Sequence, residues 1–260
     1  MKKDIIFLSG IFLTLTAIYS MIKSMEEVKA WVPQNLEAIM RIQENELGLA
    51  KQNPPTIRFE SLDQIYGKYE NGEIYLNSSY GGFKTPENSF FGILAGIISF
   101  GEIANVKSTL AHELGHFYND KILEREERNR GTVYLFAGQT QYNAEKSLGN
   151  AIISEGIAEY FKRIIITQED EFEDAEFYFK EDIFIRKNGN LIGINSNKFY
   201  RLRYDGGYHL VNPIIREYGV EGIIYISTHA PKGEEIYNLP QWLEKMRKNL
   251  KLQGQTLLYQ

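Results

Sequence analysis

The sequence predicts an α+β fold with two lobes, an early one that mixes strands with helices and a later one that is mainly helical. Three observations predict it. Two short alternating runs, TIRFES (56–61) and GEIYLNSS (72–79), read as strands early in the chain. Long helical segments are expected over 25–52, 106–122 and 144–166. Beyond residue 200 the helical reading takes over, with segments near 205–218, 220–228 and 240–251.

The elements follow in order. Residues 5–22, IIFLSGIFLTLTAIYSMI, carry no charge and are preceded by Lys2 and Lys3. As a helix this run spans about 27 Å, close to the ~30 Å of a bilayer core. It is longer than the usual apolar stretch of a secretory signal, and Leu15 or Ile18 would stand three residues before the candidate cleavage points. Residues 1–24 are therefore expected to be a signal-anchor, or else a cleaved signal peptide. The Lys pair stays cytoplasmic and the rest is exported. Residues 25–54 form a helical lead-in, with Val28, Trp31, Leu36, Ile39, Ile42 and Leu47 at helical spacing and Pro33 near its start. Asn53-Pro54-Pro55 ends it. The strands 56–61 and 72–79 come next, the second with Ile74 and Leu76 alternating, and Gly81-Gly82 turns the chain. Residues 90–104 are apolar and Gly-studded, a core helix, a lid or a membrane-facing loop. Asn105 is a candidate N-cap for the helix over 106–122. EREERNR (124–130) and the acidic run 169–177 read as solvated faces, and 182–194 as a hairpin around Asn188-Gly189.

Composition narrows the chemistry. Hydrophobic residues are 43% and charged residues 24%, ordinary globular values. The net charge of −5 leaves no basic footprint for a nucleic acid. Cysteine is absent, which excludes disulfides, thiolate nucleophiles and Cys-held metals. Any transition metal must be bound by His, Asp or Glu, and the chain has four His.

Two of the four fall in HELGH, residues 112–116. On a helix His112 and His116 share one face, so both imidazoles can reach one ion. Glu113, one residue round, can accept a proton from the attacking water as general base. With four His and 27 Glu, chance gives only ~0.006 matches to this pattern. A catalytic zinc usually has three protein ligands. The residue six positions after His116 is Ile122, so a third His there is ruled out. Glu155, in SEGIAEYF, is the best candidate for a carboxylate ligand from a second helix, with Glu145 and the acids of 169–176 as competitors. Glu159 follows on the same face and can accept the far N–H of a ligand His.

HELGH followed by EGIAEY resembles the gluzincin branch of zinc metallopeptidases, which includes thermolysin and the aminopeptidase-N-like enzymes. The resemblance covers about 57–230 and implies a zincin-like lobe, a small mixed sheet with its active-site helix, followed by a mainly helical lobe. It makes 55–260 a metallopeptidase domain. On this match His112, His116 and Glu155 hold one Zn2+, Glu113 is the base, and Glu159 orients a ligand His. The segment YDGGYHLVNPIIREYG (204–219) is similar to the family helix that opens Tyr-x-x-Gly. Tyr204 would then donate to the oxyanion, with His209 as the alternative donor. The strand before the active-site helix matches the family's edge strand, so residues 74–79 are expected to pair with substrate backbone. The Gly-x-Met-Glu-Asn motif that recognises a substrate amine is missing, which favours an endopeptidase over an aminopeptidase.

The expected function is therefore zinc-dependent peptide hydrolysis on a peptide or protein substrate. The catalytic domain is expected outside the cytoplasm, anchored to the membrane by 5–22, or secreted if that segment is removed. An inactive gluzincin-fold binding module and a cytosolic regulatory metallopeptidase are the alternatives. A protease acting within the bilayer is excluded, because HELGH does not sit in a long apolar span and Asn119, Asp120 and Lys121 come only two residues after it.

Overall fold

The computed structural model describes residues 26–62, 65–78, 102–130, 144–166, 184–187, 190–194 and 200–257, and among these residues the chain forms five long helices and five short strands. The fold is mixed α/β and mostly helical. The expected segment 5–22 lies outside the described residues. Among the described residues no helix is long and apolar enough to cross a membrane.

Helix α1 covers 26–47. Val28, Val32, Leu36, Ile39 and Met40 repeat every three or four residues and are all buried, which is the stripe that selects a helix. Two expectations at its ends are corrected. Pro33 lies inside the helix rather than near its start, because this apolar stripe outweighs the one hydrogen bond that proline removes. The helix ends before the Asn53-Pro54-Pro55 breaker, at Gly48, whose φ of 62° is a glycine C-terminal geometry.

Strands β1 (Thr56–Glu60), β2 (Gly67–Glu70) and β3 (Glu73–Asn77) form a sheet in the order β1-β3-β2. β1 runs parallel to β3, with Thr56 opposite Glu73, and β2 runs antiparallel, with Gly67 opposite Leu76. The expected edge strand is thus the central one. Both sides of residues 73–77 are taken by neighbours, so substrate backbone cannot pair there, and the expectation is overturned for 74–77, while residue 79 lies outside the described residues. β2 was not foreseen. It is joined to β3 through Asn71 and Gly72, both at positive φ (53° and 82°), the geometry of a tight two-residue hairpin turn. Ile74 and Leu76 are fully buried on one face, as their alternation predicts.

Helix α2 spans Glu102–Arg130, longer than the expected 106–122. Asn105 is inside it and is not its cap. Residues 102–104 belong to this helix, and 90–101 lie outside the described residues. Helix α3 is Ala144–Ile165, in keeping with the expected segment. Strands β4 (Phe184–Lys187) and β5 (Asn190–Ile194) pair antiparallel across the two positions where the hairpin turn was expected. A π-helical turn, Leu202–Gly206, runs directly into helix α4 (Gly207–Thr228). A short 3-10 turn at Gly233–Tyr237 leads to helix α5 (Leu239–Leu257). The two expected helices 205–218 and 220–228 are one helix broken at Gly219, whose φ of 57° and ψ of −133° suit glycine.

The chain divides into two compact units, and the division runs along α2 between Glu113 and Leu114. In the first, α1, the three-stranded sheet and the start of α2 share a core. There the buried Gln43 amide donates to the Ala111 carbonyl at 2.9 Å. In the second, the rest of α2 meets α3, and α4 packs on both α3 and α5. Tyr118 stacks on Phe161 with ring centroids 5.3 Å apart, and Trp242 Nε1 donates to the His229 carbonyl at 3.0 Å. His229 is the C-cap of α4.

Candidate metal centre

The site begins with one turn of α2. That helix is uninterrupted, so the spacing of His112 and His116 is set by the helix itself, and both rings rise on one face. His112 is 8% exposed and Glu113 6%. Burying a carboxylate beside two imidazoles is costly unless something balances its charge.

Helix α3 brings the third group. Its close approach to α2 depends on Gly115, inside the HELGH motif. A Cβ there would fall 2.6 Å from the Ala158 Cα, so only glycine allows the two backbones this near. Glu155, one turn before Ala158, then reaches His116, with Oε2 3.5 Å from Nε2. The nitrogen and oxygen ligands of a tetrahedral zinc, each about 2.0–2.1 Å from the ion, lie about 3.3 Å apart. The observed separation is close to that value. The ligand atoms of His112, His116 and Glu155 all lie within 4.8 Å of one another. Together they form a group able to hold a metal ion. Two imidazoles and one carboxylate are the donor set of several open, catalytic zinc sites.

Two supporting contacts could not be foreseen from motif spacing. Ser154 Oγ lies 3.2 Å from His116 Nδ1, which leaves Nε2 directed at Glu155. Arg203, on the π-helical turn, donates through Nη2 to Glu155 Oε1. The signals were weak: a serine adjacent to the ligand, and an arginine adjacent to Tyr204.

The other expected residues are placed as follows. Glu159 is 2% exposed and takes Lys162 Nζ at 2.6 Å, with Arg163 Nε at 3.8 Å. Tyr204 is half-buried on the π-helical turn, stacked on Tyr200 at 4.4 Å between centroids. His209 is half-buried at the start of α4, with its ring 5.4 Å from that of Tyr208. The side chain of Glu145 and the acids of 169–176 lie outside the described residues.

Glu113 has a neighbour from the sheet. A Cβ at Gly67 would fall 2.6 Å from Thr109 Cγ2 and 3.2 Å from Glu113 Oε1. Strand β2 therefore crosses α2 at the level of the candidate base.

No protein-family model matches the chain, and no curated protein and no solved structure matches it significantly.

Proposed function

We propose that the protein is a zinc-dependent endopeptidase of the gluzincin type. The observation that carries this reading is the convergence of His112, His116 and Glu155 from two helices, with the buried Glu113 one residue from a ligand. The ion, when bound, polarises the scissile carbonyl and acidifies water. Glu113 accepts the proton of the attacking water and returns it to the leaving amine. Tyr204, or His209 in its place, donates to the oxygen on which charge develops. The peptide backbone pairs with β2, because β3 is enclosed and β2 is the sheet edge beside Glu113. The catalytic part acts outside the cytoplasm, on a membrane anchor supplied by 5–22.

The test combines zinc stoichiometry with cleavage of a quenched fluorescent peptide, with and without a chelator. One zinc per chain and chelator-sensitive cleavage are expected. Glu113→Gln should keep the zinc and lose at least 100-fold in kcat, since general base catalysis contributes roughly 10²–10⁴-fold. Zinc binding with no cleavage of any peptide would turn the reading into a binding module, and absence of zinc binding would overturn it. Membrane fractionation of cells expressing the full chain tests the anchor.

A further inference from the structure

We infer that Arg203 is a positioning residue that makes Glu155 a one-oxygen ligand. This inference rests on the metal reading above and assigns a role within the same site.

The carboxylate of Glu155 is divided between two partners. Its Oε2 faces His116 Nε2 at 3.5 Å, while its Oε1 accepts from Arg203 Nη2. A carboxylate free on both oxygens can grip an ion with both and so occupy the position that water needs. Arg203 holds one oxygen back. The ion pair is also sheltered: the side chains of Glu155 and Arg203 are 12% and 30% exposed, so it is screened less than a surface pair.

The backbone is arranged to deliver this contact. Arg203 sits on a π-helical turn, a rare geometry that recurs at functional sites. The turn is fixed to α3 at two points just after the arginine. A Cβ at Gly207 would fall 2.5 Å from the Ile152 carbonyl oxygen and 3.0 Å from the Gly156 Cα, so the backbones touch one residue beyond Glu155. Asp205 of the same turn pairs with Arg163 of α3, Oδ1 to Nη2 at 3.2 Å. The Arg163 guanidinium in turn lies 4.0 Å above the Tyr208 ring. Arg203 therefore reaches Glu155 from a platform held in place by packing and a second ion pair. A planar guanidinium suits this task better than an ammonium, because it orients the carboxylate as well as balancing its charge.

The experiment is a double-mutant cycle read as zinc affinity, by competition with a chromophoric chelator at fixed pH and salt. Arg203→Ala should weaken zinc by about 10–100-fold, the usual cost of losing a partner behind a ligand. Arg203→Lys should recover part of that loss. In a Glu155→Gln background, Arg203→Ala should change affinity by less than about threefold, because the effect passes through the carboxylate. An equal loss in both backgrounds, an unchanged affinity or tighter binding would overturn the inference. If circular dichroism shows Arg203→Ala unfolded, Arg203→Lys carries the same cycle. A several-fold loss confined to the Glu155 background is then expected, and a loss independent of Glu155 overturns the inference. Failure of the unaltered chain to bind zinc removes the metal reading itself. Zinc binding that is insensitive to Arg203 removes only this inference.

Discussion

Single residues around the site are held to narrow tolerances, and Gly67 is the clearest case. Its missing side chain is what lets β2 pass over Thr109 and Glu113. Gly67→Ala should destabilise the fold by about 1–3 kcal/mol through overpacking. On the proposed reading it should also lower kcat more than zinc affinity, because the clash falls on Thr109 and Glu113 and not on His112, His116 or Glu155. Denaturant midpoints beside zinc titrations check both parts. Tyr160 gives a second prediction. Burial, with the Glu46 carboxylate adding to it, pushes its phenol up to about 12. The folded pKa is above the unfolded value of about 10, so this contribution is intact below pH 10 and fades as pH rises toward 12. The chain should lose on the order of 2 kcal/mol across that window, and Tyr160→Phe should flatten the loss. At this scale the sequence is most informative where chemistry and spacing coincide. His112, Glu113 and His116 are bound to one another by a single helical turn, so their relation could be read directly. Ser154 and Arg203 act across elements 38 and 48 residues from their partners, and no local spacing records that.

At the scale of elements, glycines decide where helices may cross and where they must break. Gly115 admits α3 to α2, and Gly156 and Gly207 admit the start of α4 to α3. Gly219 does the opposite work: its φ of 57° with ψ of −133° breaks α4 into two arms. Gly219→Ala should cost about 1–3 kcal/mol for that backbone alone, since no neighbouring atom would meet the new methyl group. Thermal denaturation with unchanged zinc affinity would bear this out, and an unchanged midpoint would contradict it. The break at Gly219 was visible in the sequence, as was the antiparallel pairing of β4 with β5. The sheet was only half visible. Asn71-Gly72 is a strong hairpin signal, yet Gly67-Lys68-Tyr69-Glu70 is too short and polar to register as a strand by its own pattern. Without β2, β3 reads as an edge. The order β1-β3-β2 follows from long-range pairing, and β1 and β3 carry the same alternation of polar and apolar residues.

Taken as a whole molecule, the chain has no disulfide and a modest net charge of −5, so its stability rests on burial and on whatever binds the folded state. The candidate centre joins side chains from two helices, and the unfolded chain holds no such arrangement. An ion bound there must therefore stabilise the fold by mass action. At free zinc about 100-fold above Kd the gain is about 2.7 kcal/mol. For a chain of this size each kcal/mol moves Tm by roughly 2–4 °C, so saturating zinc should raise Tm by about 5–10 °C. A chelator should return the protein to its metal-free midpoint. On the proposed reading Glu113→Gln should keep the full shift, because its carboxylate would serve the water and not the ion. Glu155→Gln should lose most of it, and Arg203→Ala should fall between the two. That ordering separates residues that grip the ion, residues that position a ligand and residues that act only on the substrate. A shift of equal size in all four proteins would mean that zinc binds elsewhere on the chain.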